Sequence, residues 1–200
     1  MKKKAVVYLH SGLADWESSF VLPELKKAGY EVLTVATART PVETMGGLKI
    51  LPDLLVSEIR DIHPSILILP GGDSWSDPSN NSEIISLIPT FLDAGTMVAA
   101  ICGAVTALAR IGILNNIKHT SNYLPMLKEM VPTYSGESLH TDNLAEYEKN
   151  VITASGIGAL EFTYQILKSL GVYKGEKADE WLNFYKNGVA PSWLFDPSVS

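Results

Sequence analysis

Residues 98–106 read VAAICGAVT, and Cys102 within them is the only cysteine of the chain. A thiol suits nucleophilic chemistry because its deprotonated form is the attacking species. An efficient way to present one is a tight turn between a strand and a helix, whose strained backbone tolerates only small neighbours. The residues two before and two after the thiol are Ala100 and Ala104, and Gly103 follows it directly. The N-terminus of the next helix is expected to favour the thiolate and lower its pKa. The N–H of Gly103 is suited to hold an oxyanion formed during attack. The same residues also suit a small, inert side chain packed at a crowded strand end, so two readings of Cys102 stay open.

Two other stretches carry chemistry. LPGGDSW (69–75) puts two glycines after an apolar run, which brings backbone N–H groups close to a ligand or simply makes a turn. Trp75 there either walls a pocket or packs. ADWE (14–17) opens a helix-like segment. Capping accounts for Asp15, whereas Glu17 reads either as a favourable charge at the helix start or as a carboxyl group reaching the thiol. His10 ends the first strand and faces the same rim, or packs there. His63 precedes Pro64 and reads as loop. His140, in ESLHTDN, reads as a turn residue. No two histidines have metal-ligand spacing and one thiol is too few for a structural zinc site, so no metal is expected. GIGALE (156–161) resembles a dinucleotide loop, but Glu161 stands where the third glycine belongs and would oppose a phosphate. Glu161 reads as a helix-dipole partner, and no cofactor is expected.

These residues need elements to position them. Strands are predicted at 5–9, 31–36, 65–69, 97–101 and 151–154. Helices are predicted at 17–28, 82–94, 103–111, 158–170 and 176–187, with a hairpin over 40–52 turning at Gly46-Gly47. The strands lack polar alternation, as in a parallel sheet covered on both faces. That pattern predicts an α/β domain with helices on both sides and its ligand site beyond the carboxyl ends of the strands. A single domain over residues 1–200 is expected, with 188–200 as a surface tail. The net charge of −6 argues against nucleic acid or an anionic membrane as partner. No window is long and apolar enough to span a bilayer, and MKKKAVVYLHSG reads as a first strand rather than a signal peptide. A lone cysteine forms no internal disulfide. A cytoplasmic location is expected.

Taken together, Glu17 in ADWE, PGG at 70–72 and AAICGA at 99–104 resemble the ThiJ/PfpI family of the class I glutamine amidotransferase-like superfamily. GIGALEF (156–162) resembles its last strand-to-helix turn, so the likeness runs from residue 4 to about 170. The strings GGDSWS and AAICGAV, with ILNN and HTSN downstream, are most similar to a bacterial subgroup described as cysteine proteases. The resemblance implies a flavodoxin-like sandwich, a homodimer, Cys102 as nucleophile, Glu17 as the carboxyl group bonded to the thiol, and the N–H groups of Gly72 and Gly103 as the oxyanion hole. It also sharpens three departures. Gly103 stands where the family's proteases carry histidine. Asn122 stands where the deglycase and glyoxalase branch carries one. Ala159 replaces the histidine of the amidotransferase His-x-Glu pair, although Glu161 remains. His119, three residues from Asn122, is the nearest substitute base.

Two functional classes remain. One is an enzyme whose thiolate attacks a small carbonyl compound or a peptide amide, with hydrolase or glyoxalase/deglycase chemistry. The other is a stress-response redox sensor or chaperone-like protein whose thiol is oxidised and held by Glu17.

Overall fold

The computed structural model describes residues 2–195. In chain order the elements are β1 (Lys4–Tyr8), α1 (Val21–Lys27), β2 (Glu31–Ala36), β3 (Val42–Glu43), β4 (Lys49–Ile50), β5 (Leu54–Leu55), β6 (Ile66–Leu69), α2 (Ser82–Asp93), β7 (Met97–Ile101), α3 (Val105–Arg110), α4 (Leu124–Met130), β8 (Ala145–Glu148), β9 (Val151–Ala154), α5 (Ala159–Ser169) and α6 (Lys177–Asn187). Seven strands form one sheet in the order β5-β2-β1-β6-β7-β9-β8. All pairs in it are parallel except β8 with β9. The remaining strands, β3 and β4, make a separate antiparallel hairpin.

Strand geometry sends successive side chains to opposite faces. Val6, Leu67, Leu69, Val98 and Ala100 join one core with residues of α2, α3 and α4. Ala5, Val7, Ile66, Ile68, Ala99 and Ile101 join the other with α1, α5 and α6. Both faces are therefore dry, which explains the unbroken apolar runs of β6 and β7. The fold is the expected flavodoxin-like sandwich. No helix among the described residues is long and apolar enough to cross a membrane.

Three elements escape the hydrophobic pattern. β8 reads AEYE; it is the antiparallel edge strand, where only one side needs a partner and charges protect the open edge. β5 has two residues, and α4 is a seven-residue helix with proline in its first turn. Two boundaries also move. The helix expected at 17–28 divides into a 3₁₀ turn at Asp15–Glu17 and α1, and that expected at 103–111 divides into a 3₁₀ turn at Cys102–Ala104 and α3. Near the C-terminus, Pro191 is buried, and Trp193 packs on the second core and donates its N–H to Glu180.

Phe162 on α5 is fully buried in the second core. Phe162→Ala is expected to cost about 3–5 kcal/mol, the usual transfer-plus-cavity penalty. Leu51→Ser, at a side chain 64% exposed, is expected to stay within about 0.5 kcal/mol. Urea unfolding of both variants checks the pair.

Candidate active site

Parallel strands deliver three loops to one end of the sheet. β1 leads to the turn carrying Glu17, β6 to Pro70-Gly71-Gly72, and β7 to Cys102; β6 lies between β1 and β7. Cys102 has φ +58, a conformation unusual for a residue with a side chain. Ala100 and Ala104 beside it are fully buried. The strand, the strained residue and the turn that follows make the expected nucleophile elbow.

Glu17 is fully buried. Its Oε2 accepts the Gly71 N–H at 2.5 Å. Its Oε1 has no other hydrogen-bond partner and is directed at the Cys102 thiol. This proximity depends on glycines. A methyl group on Gly71 would lie 2.5 Å from Cys102 Cβ and 2.7 Å from Glu17 Oε2, and one on Gly156 would lie 2.9 Å from the sulfur. Asn122 completes the contacts. Its Oδ1 accepts the Gly156 N–H at 2.7 Å, which turns its Nδ2–H toward Cys102 Sγ at 3.1 Å.

Burial raises the pKa of Glu17 above the ordinary carboxylate value, against the bonds from Gly71 and Cys102 that lower it. Burial also raises the thiol, and Glu17 pushes it in the same direction; Asn122 and the Gly103 N–H act against both. The helix-induced lowering expected from sequence is therefore reversed. Partial burial of the sulfur is the largest influence, and the neighbouring Glu17 acts in the same direction. With both groups raised, the doubly deprotonated pair is disfavoured.

The other expected residues divide between the pocket and its supports. A cavity of about 370 Å³ opens in front of the sulfur, lined by Glu17, Gly72, Cys102, Gly103 and Asn122 among others. His119 lies outside it. It is fully buried, its Nδ1–H donates to the Ile117 carbonyl at 2.7 Å, and its Nε2 accepts from the Tyr134 hydroxyl at 2.6 Å. Both nitrogens are committed, so it offers Cys102 no base. His10 and Trp75 stand behind the loop instead of in the pocket. The Trp75 indole N–H donates to the Pro70 carbonyl at 2.9 Å and to His10 Nε2 at 3.1 Å. His10 Nδ1 meets Ser74 Oγ at 2.8 Å, and burial holds this ring's pKa down. Together they brace Gly72, whose φ of +143 excludes most side chains and where a methyl group would meet Gly12 O at 2.4 Å. His63 is exposed, and Glu161 accepts a bond from Lys186. His140 Nε2 lies 2.9 Å from Ser121 Oγ. Asp15 caps no helix. It binds the Thr44 hydroxyl and the Gly46 N–H, tying the β3–β4 hairpin to the site. No group of three metal-ligating side chains occurs among the described residues.

Sequence reading missed most of the cavity wall: Trp16, Met45, Tyr123, Met126, Leu127 and Met130. A signal was present in NYLPMLKEM, whose apolar residues exceed what a short surface helix needs.

A cysteine at an elbow in a flavodoxin-like sheet, faced by a buried glutamate, defines a recognisable class of protein. The model of the DJ-1/PfpI family matches residues 3–169, and the chain belongs to that family. It is 34% identical to "Uncharacterized protease YoaZ" of Bacillus subtilis, over 97% of this chain and 95% of that one. It is 30% identical to "Glutathione-independent glyoxalase DJR-1.2" of Caenorhabditis elegans, over 73% and 76%. Among solved structures, a thiJ/pfpI family protein from Bacillus anthracis superposes with a TM-score of 0.87 at 37% identity, covering 94% of this chain and 92% of that one.

Two measurements follow from the buried pair. The rate of Cys102 alkylation against pH is expected to rise with a midpoint above that of the denatured chain. Asn122→Ala moves the midpoint up by removing a donor, and Glu17→Gln moves it down by removing a charge and an acceptor. Stability carries the second signature. The folded-state pKa of Glu17 exceeds its unfolded value, so its contribution is full below the unfolded pKa and is lost as pH rises through the folded one. Glu17→Gln, whose amide oxygen still accepts from Gly71, is expected to match the parent near pH 4 and to melt higher at pH 8. Calorimetry at both pH values checks the sign.

Proposed function

We propose that this protein is an enzyme that uses Cys102 as a nucleophile against the carbonyl group of a small molecule or peptide. The observation that carries this reading is the fully buried Glu17, with one oxygen bonded to Gly71 and the other left for the sulfur. Burial makes this carboxylate a stronger base than a free one, able to take the thiol proton while Asn122 and the Gly103 N–H stabilise the thiolate. The sulfur then forms a bond to the carbonyl carbon, and the π electrons move to oxygen. The N–H groups of Gly72 and Gly103 hold that oxyanion. Glu17 returns its proton to the oxyanion or to the leaving group.

Two outcomes share this step. For an amide or ester, the C–N or C–O bond breaks and water cleaves the thioester to an acid and the free thiol. For a 1,2-dicarbonyl, the hemithioacetal isomerises and water releases a 2-hydroxy acid. Relatives named as a protease and as a glyoxalase support both. Among the described residues no histidine is hydrogen-bonded to Cys102, and this favours one second reading. There two peroxide molecules in turn each transfer one oxygen atom to the thiolate, releasing two waters and leaving a sulfinate, and the protein serves as a redox sensor.

Turnover of methylglyoxal and of p-nitrophenyl esters tests the proposal. Cys102→Ala is expected to abolish turnover, and Glu17→Gln to lower kcat by about 10²–10⁴-fold. Turnover that survives Cys102→Ala would overturn it. No turnover, with peroxide adding two oxygen atoms to Cys102, would support the sensor.

A further inference from the structure

The cavity in front of Cys102 is chemically lopsided. Glu17 and Asn122 lie against the sulfur, and Asp73, Ser76, Thr106 and Ser121 add polar groups to the lining. The rest of the wall is apolar, built mainly from Trp16, Met45, Val105, Tyr123, Met126 and Met130. Three of the chain's five methionines are therefore gathered at this one cavity. They come from separate elements: Met45 from the β3–β4 turn, Met126 and Met130 from successive turns of α4. Trp16 is 50% exposed and Met126 42% exposed, so the apolar surface continues out to the rim.

Among the described residues, the charged side chains that line the cavity are carboxyl groups alone. Glu17 and Asp73 line it, and no Lys, Arg or His does. The nearest guanidinium, Arg110, is turned away from the opening. It does not line the cavity but braces its wall from behind, donating to the carbonyls of Trp75 and Ser76 and to Thr106 Oγ1 at 3.2 Å, so these donors are already occupied. Nothing offers the forked or ammonium donor that a bound carboxylate or phosphate needs. An anion entering this cavity would lose water and meet two carboxyl groups.

We infer that the substrate is an uncharged carbonyl compound with an alkyl or aryl arm, the arm lying on the methionine wall and the carbonyl over Cys102. The inference rests on the reading of Cys102 as nucleophile and adds the substrate class. Unbranched, polarisable methionine side chains adapt to arms of different shape, so the site accepts a range of apolar arms and rejects carboxylated ones. The cavity, about 370 Å³, is in the range of small-molecule sites.

The test uses the lone cysteine. Iodoacetamide, iodoacetate and N-hexyl-2-iodoacetamide each alkylate the sulfur; an S–C bond forms, iodide leaves, and the thiol proton passes to solvent. Intact mass gives each rate, which is divided by the rate for the urea-denatured chain at the same pH to remove intrinsic reactivity. The expected order is N-hexyl-2-iodoacetamide, then iodoacetamide, then iodoacetate, with at least about tenfold between first and last. Met126→Lys, at a rim position outside the Cys102 contacts, is expected to speed iodoacetate and slow the hexyl reagent. Val105→Ile, which keeps the wall apolar, should keep the order. Equal normalised rates, or an order unmoved by Met126→Lys, would overturn the inference and leave the nucleophile reading intact. A sulfur inert to all three reagents would overturn both. The expected order without any carbonyl turnover would uphold the apolar site and defeat the enzyme.

Discussion

A carboxyl group kept out of water beside a sulfur governs this site. Glu17 has no exposed surface, and a carboxyl group in such a place is costly unless it is bonded or protonated. One oxygen is satisfied by the Gly71 N–H and the other is left for Cys102. Every neighbour serves that arrangement. The 3₁₀ turn Asp15–Glu17 aims the carboxyl group inward, and α1 starts only afterwards. Gly71 and Gly156 lack the methyl groups that would collide with the carboxyl group or the sulfur. The elbow holds Cys102 at φ +58, a strain stored at the place where chemistry is proposed.

Behind the pocket stands a second polar layer. Tyr8 donates to Asn81, Asn81 to Ser74, and Ser74 meets His10, which shares Trp75 and the Pro70 carbonyl. These groups are largely buried and mutually bonded, so the network fixes the Gly71-Gly72 loop instead of titrating. His10, Trp75 and His119 thus belong to the scaffold, although each resembled a site residue in the linear sequence. A histidine satisfied at both nitrogens is a structural part of a core, and only the arrangement of partners distinguishes it from a base.

The site is consequently divided. The titrating groups are Glu17 and Cys102, both raised by desolvation, with Asn122 as a neutral donor to the sulfur. The rest of the lining is mainly methionine and aromatic side chains. Under the proposed reading, the carbonyl group supplies the chemistry and the apolar remainder the binding.

The elbow and the sheet were legible in the sequence because both follow from local rules. Ala100, Gly103 and Ala104 are small because a strained turn needs them so. β6 and β7 are uniformly apolar because both their faces are covered. Glu17 and the glycine pair were visible as motif pieces at strand ends. The edge strand β8 and the short helix α4 were not, since an open edge and a seven-residue helix impose little pattern. Burial at the sulfur raises the thiol where the sequence predicts a lowering, because a helix start is visible in a sequence and the extent of burial is not. The sequence by itself determined the sandwich, the elbow and the identity of the thiol and its glutamate. Only the tertiary structure decided that Asn122 touches the sulfur, that His119 does not, and that Met45 meets Met126 and Met130 of α4 at one cavity. Such contacts depend on how loops from different strands meet at one end of the sheet, and no local spacing encodes that meeting.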